Sequence, residues 1–388
     1  MSATTSQPAQ AHGLAAVLRR SAEGSPAGTL APRGRLGESG GMTAPANPDA
    51  PAALRLRIDG DALAANFRWF EDRAGVPAVP AVKADGYGLG LRAVVARLEV
   101  AGARAFAVST WAEAMVLARP DLPVLILHGF TAECSGAARA LPLARPVLNS
   151  AAQCEQWRTA FPGRSADVMV DTGMNRLGLA AGELAAANGV RLHTVHSHLA
   201  CADLPDHPLT PRQLAAFRDV VAATPEASHA LANSAGICWG RDYSFNAVRP
   251  GLGLYGGTPH PAAVVRPVVT PEARVIQVRS VQAGETVGYG ACWTAHRDSR
   301  IAIVNIGYAD GVPRALAGHL VVRAGGRSLG IAGRISMDML AVDVTDWAVA
   351  EGDWLSLDWT LKALAAVSDV SQYRLLVGLS QRFERCWA

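Results

Sequence analysis

Residues 79–90 read VPAVKADGYGLG. A short apolar run, Val79–Lys83, ends on a lysine. A glycine-rich turn follows, and the next eleven residues, 91–101, carry the apolar spacing of a helix. This strand–turn–helix unit recurs down the chain. Further strand candidates are Ala105–Val108, Val124–His128, Pro146–Leu148, Ala166–Val170, Arg191–His196, Ser228–Leu231 and Ala247–Arg249. Helical stretches near 110–118, 132–140, 150–160, 181–188, 210–223 and 234–240 lie between them. Alternation of this kind implies parallel strands joined by crossovers. Eight units over about two hundred residues suit a closed (β/α)8 TIM barrel, an α/β fold. An open doubly wound sheet would share the rhythm, but no GxGxxG follows the first strand, which counts against a dinucleotide fold.

Outward from this core, a strand at Leu54–Ile58 leads into an amphipathic helix, Asp61–Arg73, with Leu63, Phe67 and Phe70 on one face. Residues 1–52 are rich in Ala, Gly, Ser and Pro without a period, and are expected to be disordered. Arg19 and Arg20 follow the apolar stretch of this segment, the reverse of a signal peptide, and Met42 is an alternative start. After residue 262 the texture changes. Val264–Val269, Arg274–Val281, Arg300–Ile306, Leu320–Val322, Ser328–Ile331 and Met339–Val344 read as strands with glycine-containing turns. A helix near 360–367 and a strand near Tyr373–Val377 close the chain. The expected domains are a barrel over 53–262 and a mostly-β domain over 263–388, with the first strand joining the latter.

Of 388 residues, 50% are hydrophobic and 18% charged, enough apolar surface for one large core and a smaller one. A net charge of +3 gives no reason to expect nucleic acid or an anionic membrane as partner. The apolar runs are strand-length, far short of a membrane span. Six cysteines form neither CxxC pairs nor zinc-type clusters. Free thiols in a reducing cytosol and no metal are the expectation.

The unusual polar residues fall just past predicted strands, on the face where barrels carry their chemistry. A lysine after a strand is ordinarily a surface lysine. At this rim, partly desolvated, the amine of Lys83 can lose enough basicity to form a Schiff base. Tyr87 lies four residues on. Arg176 stands in DTGMNRLG after the fifth strand, His198 in HSHLACAD after the sixth, Asn233 and Ser234 in ANSAG after the seventh. Arg249 ends the eighth, in RPGLGLYGG, with Gly251 and Gly253 behind it. The loops after the last two strands are where barrels commonly bind phosphate. In the β domain, GETVGYGACWTA places Tyr289 between glycines, and GYADG (307–311) and GRISMDM (333–339) are dense in special residues.

Taken in order, AVKADGYGLG, DTGMNRLG, RPGLGLYGG, VGYGACWTA, IGYADG and GRISMDM resemble the alanine racemases, fold-type III pyridoxal-phosphate enzymes, from about Leu56 to Arg385. The resemblance implies that Lys83 holds pyridoxal 5'-phosphate and is one catalytic base. Tyr87, Asn233, Ser234, Gly251 and Leu252 would bind the cofactor, most of them at its phosphate. His198 would pack beside the pyridine ring, and Arg249 would face its nitrogen. Arg176 would approach the phenolic oxygen and the substrate carboxylate, with Met337 and Asp338 beside that carboxylate. Tyr289 would be the second base, reaching in from the other subunit of a homodimer, with His198 and Arg249 as a chain toward it. Removing a Cα proton from one face and returning one to the other needs two bases at minimum. Tyr308 and Arg314 imply a narrow mouth, hence a small substrate, alanine.

The chain departs from the family in three places. Met169 stands where many members carry a carbamylated lysine against Arg176. Gln381 stands where an aromatic side chain sometimes reaches the phosphate, and Asn175 where glycine is common. The expected function is interconversion of L- and D-alanine in the cytoplasm, for peptidoglycan or for catabolism. A serine or broad-specificity racemase, a non-catalytic cofactor-carrying barrel and an amino-acid decarboxylase are the alternatives. The carrier would lack the region after 262. The decarboxylase would show a cysteine motif and an HxGS-type segment, and neither is present.

Overall fold

A computed structural model describes residues 52–388; residues 1–51, where disorder is expected from composition, lie outside the described residues. Six parallel strands stand side by side in chain order: Phe106–Val108, Val124–Ile126, Arg145–Leu148, Ser165–Asp171, Arg191–His196 and Ser228–Ala230. Two irregular segments close the ring. Val79 N donates to Val248 O and Ala81 N to Pro250 O, both at 2.8 Å, while Val82 N reaches Ala107 O and Arg249 N reaches Ala232 O at 2.8 and 2.9 Å. The barrel therefore has eight members, but the expected strands at 79–83 and 247–249 make only isolated bridges. Pro77, Pro80 and Pro250 interrupt them, because proline has no N–H to give to a ladder.

Local chemistry sets the outer layer. Helix Gly60–Ala74 starts at Asp59, whose carboxylate accepts from Ala62 N at 2.7 Å, and ends at Gly75 with φ of 68°. Its buried face is Leu63, Phe67 and Phe70. Helix Trp111–Leu117 opens with a Thr110–Glu113 capping box. The stretch expected as a helix near 181–188 is a 3-10 segment, Ala181–Ala187.

The β domain is organised on one long strand, Val269–Val281. It pairs antiparallel with Leu54–Ile58, Trp354–Leu357 and Ser299–Val304, and Leu54–Ile58 pairs parallel with Glu384–Trp387. Both ends of the described chain thus lie in one sheet. Leu54, Leu56 and Ile58 are buried and alternate with more exposed Arg55 and Arg57, the period of a half-buried strand.

Two further readings are corrected. Residues 264–268 are an extended connection, and the strand begins only at Val269. Tyr373–Val377 is not a strand but the greater part of helix Gln372–Val377, nucleated by Ser371, whose hydroxyl accepts from Arg374 N at 3.3 Å. A short apolar run does not separate the two states, and the cap decides. The strands Trp354–Leu357 and Glu384–Trp387, four residues each, are not among the expected strands, being too short for their pattern to stand out.

Candidate active site

The strand ends open on a cavity of about 350 Å³, within the range of small-ligand sites. Lys83, Tyr87, Arg176, His198, Asn233, Ser234, Arg249, Gly251 and Leu252 all line it. Segments from Lys83 to Leu252 meet here because each follows a strand or closing segment of the barrel.

The turn after Lys83 is left-handed. Ala84, Asp85, Gly86 and Tyr87 have φ of 53°, 54°, 63° and 56°. Such a conformation costs roughly 1–2 kcal/mol for each non-glycine residue. It is held by Glu113, which accepts from Ala84 N at 2.8 Å, and by Asp85, which accepts from Leu91 N at 2.8 Å. The turn leaves Lys83 at the rim and drops Tyr87 into the cavity wall. Burial and the nearby Arg176 guanidinium both lower the Lys83 pKa below 10.5, against an opposing pull from Glu113. A larger share of neutral, nucleophilic amine results.

One end of the cavity is built for an anion with several oxygens. The ring of Tyr87 stacks on Tyr255 with centroids 4.3 Å apart, and Tyr255 is pinned by its hydroxyl to Ala81 O at 2.9 Å. Burial raises the Tyr87 pKa, with Tyr373 adding to it, so the phenol stays a donor. Ser234 Oγ accepts from Gly251 N at 2.8 Å and from Gly253 N at 3.3 Å, which leaves its own hydrogen to give. A Cβ on Gly251 would lie 2.4 Å from the Tyr87 hydroxyl, so glycine there is what lets the phenol approach. Asn233 faces the cavity, yet its side-chain oxygen caps the following turn through Gly236 N at 2.9 Å.

Two residues at this site escaped the sequence reading. Tyr373 lines the cavity from helix Gln372–Val377, 6.3 Å from the Tyr87 ring centroid. Gln381 does not line it and is exposed. The phenol sits eight residues upstream of the position where an aromatic was sought, and an i, i+8 offset has no signal without the helix. The other is His196. Arg249 Nη1 donates to His196 Nδ1 at 2.8 Å, whereas no hydrogen bond joins Arg249 to the His198 ring among the described residues. Arg249 is thus tied to His196 on the inner side of the barrel, toward Asp167. Burial and the cations Arg249, Arg176 and Lys83 lower His198 to about 3, which keeps its ring neutral.

Arg249 also donates from Nη1 to Ala230 O at 3.0 Å, and from Nη2 to Ser197 O at 2.5 Å and Leu231 O at 3.4 Å. Its Nε–H has no acceptor among the described residues. It suits a ligand atom with a lone pair. Arg176 is exposed at the rim, and Met169 is buried behind it with no charge to offer. The loop bearing Arg176 is shaped by Asp171, which accepts from Gly173, Met174 and Arg176 N–H at 2.7, 2.8 and 3.1 Å. Asn175 in that loop has φ of 54°, a value asparagine tolerates better than most residues.

The remaining expected residues lie elsewhere. Tyr289 is 73% exposed and lines a separate groove of about 610 Å³ on the β domain, with Arg334, Ser336 and Met339. It projects from a tight turn between strands Thr286–Val287 and Trp293–Thr294. Met337 is 55% exposed; its carbonyl accepts from Ala309 N at 2.9 Å. Asp338 accepts from Arg382 at 2.8 Å, and Arg382 grips buried Asp310 with two bonds of 2.7 Å. Gly307 allows the two loops to touch, since a Cβ there would lie 2.3 Å from Met337 O. Arg314 stacks 6.0 Å from the Tyr308 ring centroid.

Comparison with known proteins bears on residues 58–387. The alanine racemase N-terminal domain family matches residues 58–259, and the alanine racemase C-terminal domain family matches residues 268–387. An alanine racemase of Ruegeria sp. (strain TM1040) is 40% identical over 347 residues, covering 87% of this chain and 99% of its own. One of Acidiphilium cryptum (strain JF-5) is 38% identical over 348 residues, covering 85% and 97%. Among solved structures, alanine racemase from Bartonella henselae with covalently bound pyridoxal phosphate superposes with a TM-score of 0.78 at 32% identity, covering 87% of this chain and 100% of its own. The biosynthetic alanine racemase from Pseudomonas aeruginosa gives 0.76 at 34% identity, with the same coverage.

Proposed function

The chain belongs to the alanine racemase family, and on that premise we propose that it interconverts L- and D-alanine with pyridoxal 5'-phosphate, using Lys83 and Tyr289 as its two bases. One observation carries the reading. The cavity pairs a lowered-pKa amine with an anion-binding end and a guanidinium N–H that lacks an acceptor.

Those three features fit the three chemical ends of the cofactor. Lys83 supplies the amine for its aldehyde. Tyr87, Ser234 and the Gly251–Leu252 backbone supply donors for its phosphate, and the Gly251 gap keeps the Tyr87 hydroxyl within reach. Arg249 Nε–H supplies a donor for its ring nitrogen. When bound, the cofactor withdraws electrons from the substrate's Cα and acidifies the proton there. A guanidinium, unlike a carboxylate, leaves that nitrogen unprotonated, which limits how much charge the ring draws and favours return of the proton to Cα.

The chain's own groups then move the proton. Lys83 takes or gives it on one face of Cα. Tyr289 does so on the other face, and Arg176 with the Met337 backbone holds the carboxylate. Tyr289 is exposed and outside the barrel cavity of its own chain, so the proposal includes a homodimer in which each site borrows Tyr289 from the partner. The proposal also places the enzyme in the cytoplasm. No described helix is long and apolar enough to cross a membrane. In that dimer the Tyr308–Arg314 pair, stacked on the β domain, would narrow the entrance and favour a small substrate such as alanine over bulkier ones. The test is chirality-resolved turnover of L- and D-alanine by purified protein with and without the cofactor. Equal conversion of both enantiomers only when the cofactor is present supports the reading, and no conversion by the loaded protein refutes it.

A further inference from the structure

Beneath the cavity floor, the barrel interior holds a line of charged and polar groups. Arg145 Nε donates to Asp167 Oδ1 at 3.0 Å. Asp167 Oδ2 lies 3.1 Å from His196 Nε2, and His196 Nδ1 lies 2.8 Å from Arg249 Nη1. Asp167, His196 and Arg249 are 0%, 2% and 6% exposed. Ionic groups this deep lose their hydration, and an apolar core of the same volume is often at least as stable. Burial of this kind asks for a role beyond holding the fold.

The proton positions in this line are determined by chemistry. An ionised carboxylate only accepts, so His196 Nε2 must carry the hydrogen facing Asp167. The Nδ1 of a neutral ring is then a bare lone pair, which matches the Arg249 N–H that meets it. Burial disfavours charge on His196, and the ring stays neutral although Asp167 pulls the other way. The carboxylate, the ring and the guanidinium therefore admit one arrangement, with each donor facing an acceptor.

That arrangement fixes the guanidinium plane. Its four Nη hydrogens are taken by His196 Nδ1 and by the carbonyls of Ala230, Ser197 and Leu231. Only Nε–H is left without an acceptor among the described residues. The carbonyls belong to strand ends and loops that any barrel would have. The His196 bond alone ties Arg249 to a charge.

We propose that Asp167 and His196 are positioning residues for Arg249, setting from inside the barrel the guanidinium orientation that presents Nε–H to the cofactor's ring nitrogen. The proposal rests on the racemase reading. Asp167 also supplies a buried negative charge beneath a cavity that Lys83, Arg176 and Arg249 line together with Asp171.

The test uses three variants of the full chain loaded with pyridoxal phosphate. Asp167→Asn keeps shape and removes charge. His196→Leu removes both ring nitrogens. His196→Asn restores an acceptor near the position of Nδ1. The readouts are kcat and KM for alanine, the absorbance spectrum of the bound cofactor, and melting temperature. Asp167→Asn and His196→Leu are expected to lower kcat at least tenfold, to change KM less than about twofold, and to shift the bound-cofactor absorbance. His196→Asn is expected to recover part of kcat and the parent spectrum. Variants that fold, melt lower, but keep the parent spectrum and kcat would show a structural role only and overturn the proposal. If His196→Leu does not fold, the isosteric Asp167→Asn decides by the same two readouts. A parent protein that loads cofactor but does not racemise alanine refutes the racemase reading instead, and the spectral comparison still decides the relay.

Discussion

Lys83 and Tyr289 do not share a cavity within one chain: Lys83 lines the barrel mouth, while Tyr289 stands 73% exposed on the groove of the β domain. Two bases for one carbon must flank it, so under the proposed mechanism a second copy would bring its own Tyr289 across. A closed two-fold dimer would do this reciprocally, with the same patch used by both subunits.

Gly251 sets the distance between backbone and phenol at the anion end. Its φ of −134° lies outside the left-handed region, and the direct effect of Gly251→Ala is the methyl group it adds. The added Cβ would lie 2.4 Å from the Tyr87 hydroxyl. The variant is expected to fold and to lose cofactor affinity at least tenfold by fluorescence titration. Tyr87→Phe in the same chain removes the hydroxyl and should restore melting temperature but not affinity. Unchanged affinity in Gly251→Ala would contradict the phosphate assignment.

Tyr373 lines the anion end of the cavity beside Tyr87, and Gln381 does not. Tyr373→Phe is expected to weaken cofactor binding by about tenfold or more, on the scale of one hydrogen bond to a charged group, about 1.5–3 kcal/mol. Gln381→Ala should leave it unchanged, because Gln381 is exposed. Equal effects of the two substitutions would reject this placement.

The resemblance named the nine residues that meet in the barrel cavity, because each lies in a motif directly behind a strand. The order of strands was equally legible from alternating texture. Less was visible where geometry rather than periodicity decides. Tyr373 sits in a run, YRLLV, that is apolar enough for either strand or helix, and Ser371 tips it to helix. His196 is one of two histidines in HSH, and only the strand's alternation, which turns it into the barrel beside Asp167, gives it to Arg249. Asp167 itself lies mid-strand among apolar residues, a polar break in SADVMVD that pointed inward all along. The closing segments at 79–83 and 247–249 read as regular strands, since prolines flanking a run do not reveal how much ladder they remove.

Acid should loosen the apoprotein through its buried imidazoles. Burial depresses His196 to about 4 and His198 to about 3, against an ordinary 6.5. As pH falls below 6.5, the unfolded chain takes up protons that the folded chain refuses, so stability drops. His196 alone contributes a slope of about 1.4 kcal/mol per pH unit until its folded value is reached. Asp167, held below 3.8 by His196 and Arg145 despite its burial, adds a further loss at lower pH. Urea midpoints measured from pH 7 to pH 4.5 are expected to fall steadily, and less steeply in His196→Asn. A flat profile would contradict neutral burial of these rings.

The most direct measurement mixes two inactive proteins. Lys83→Ala and Tyr289→Phe homodimers should each racemise alanine negligibly, one for want of the amine and the other of the phenol. Unfolding and refolding them together in equal amounts gives dimers of which half are mixed, and each mixed dimer holds one site with both parent residues. Activity should return to about a quarter of the parent's. Mixtures that stay inactive while mixed dimers demonstrably form would show that the amine and the phenol never meet across subunits.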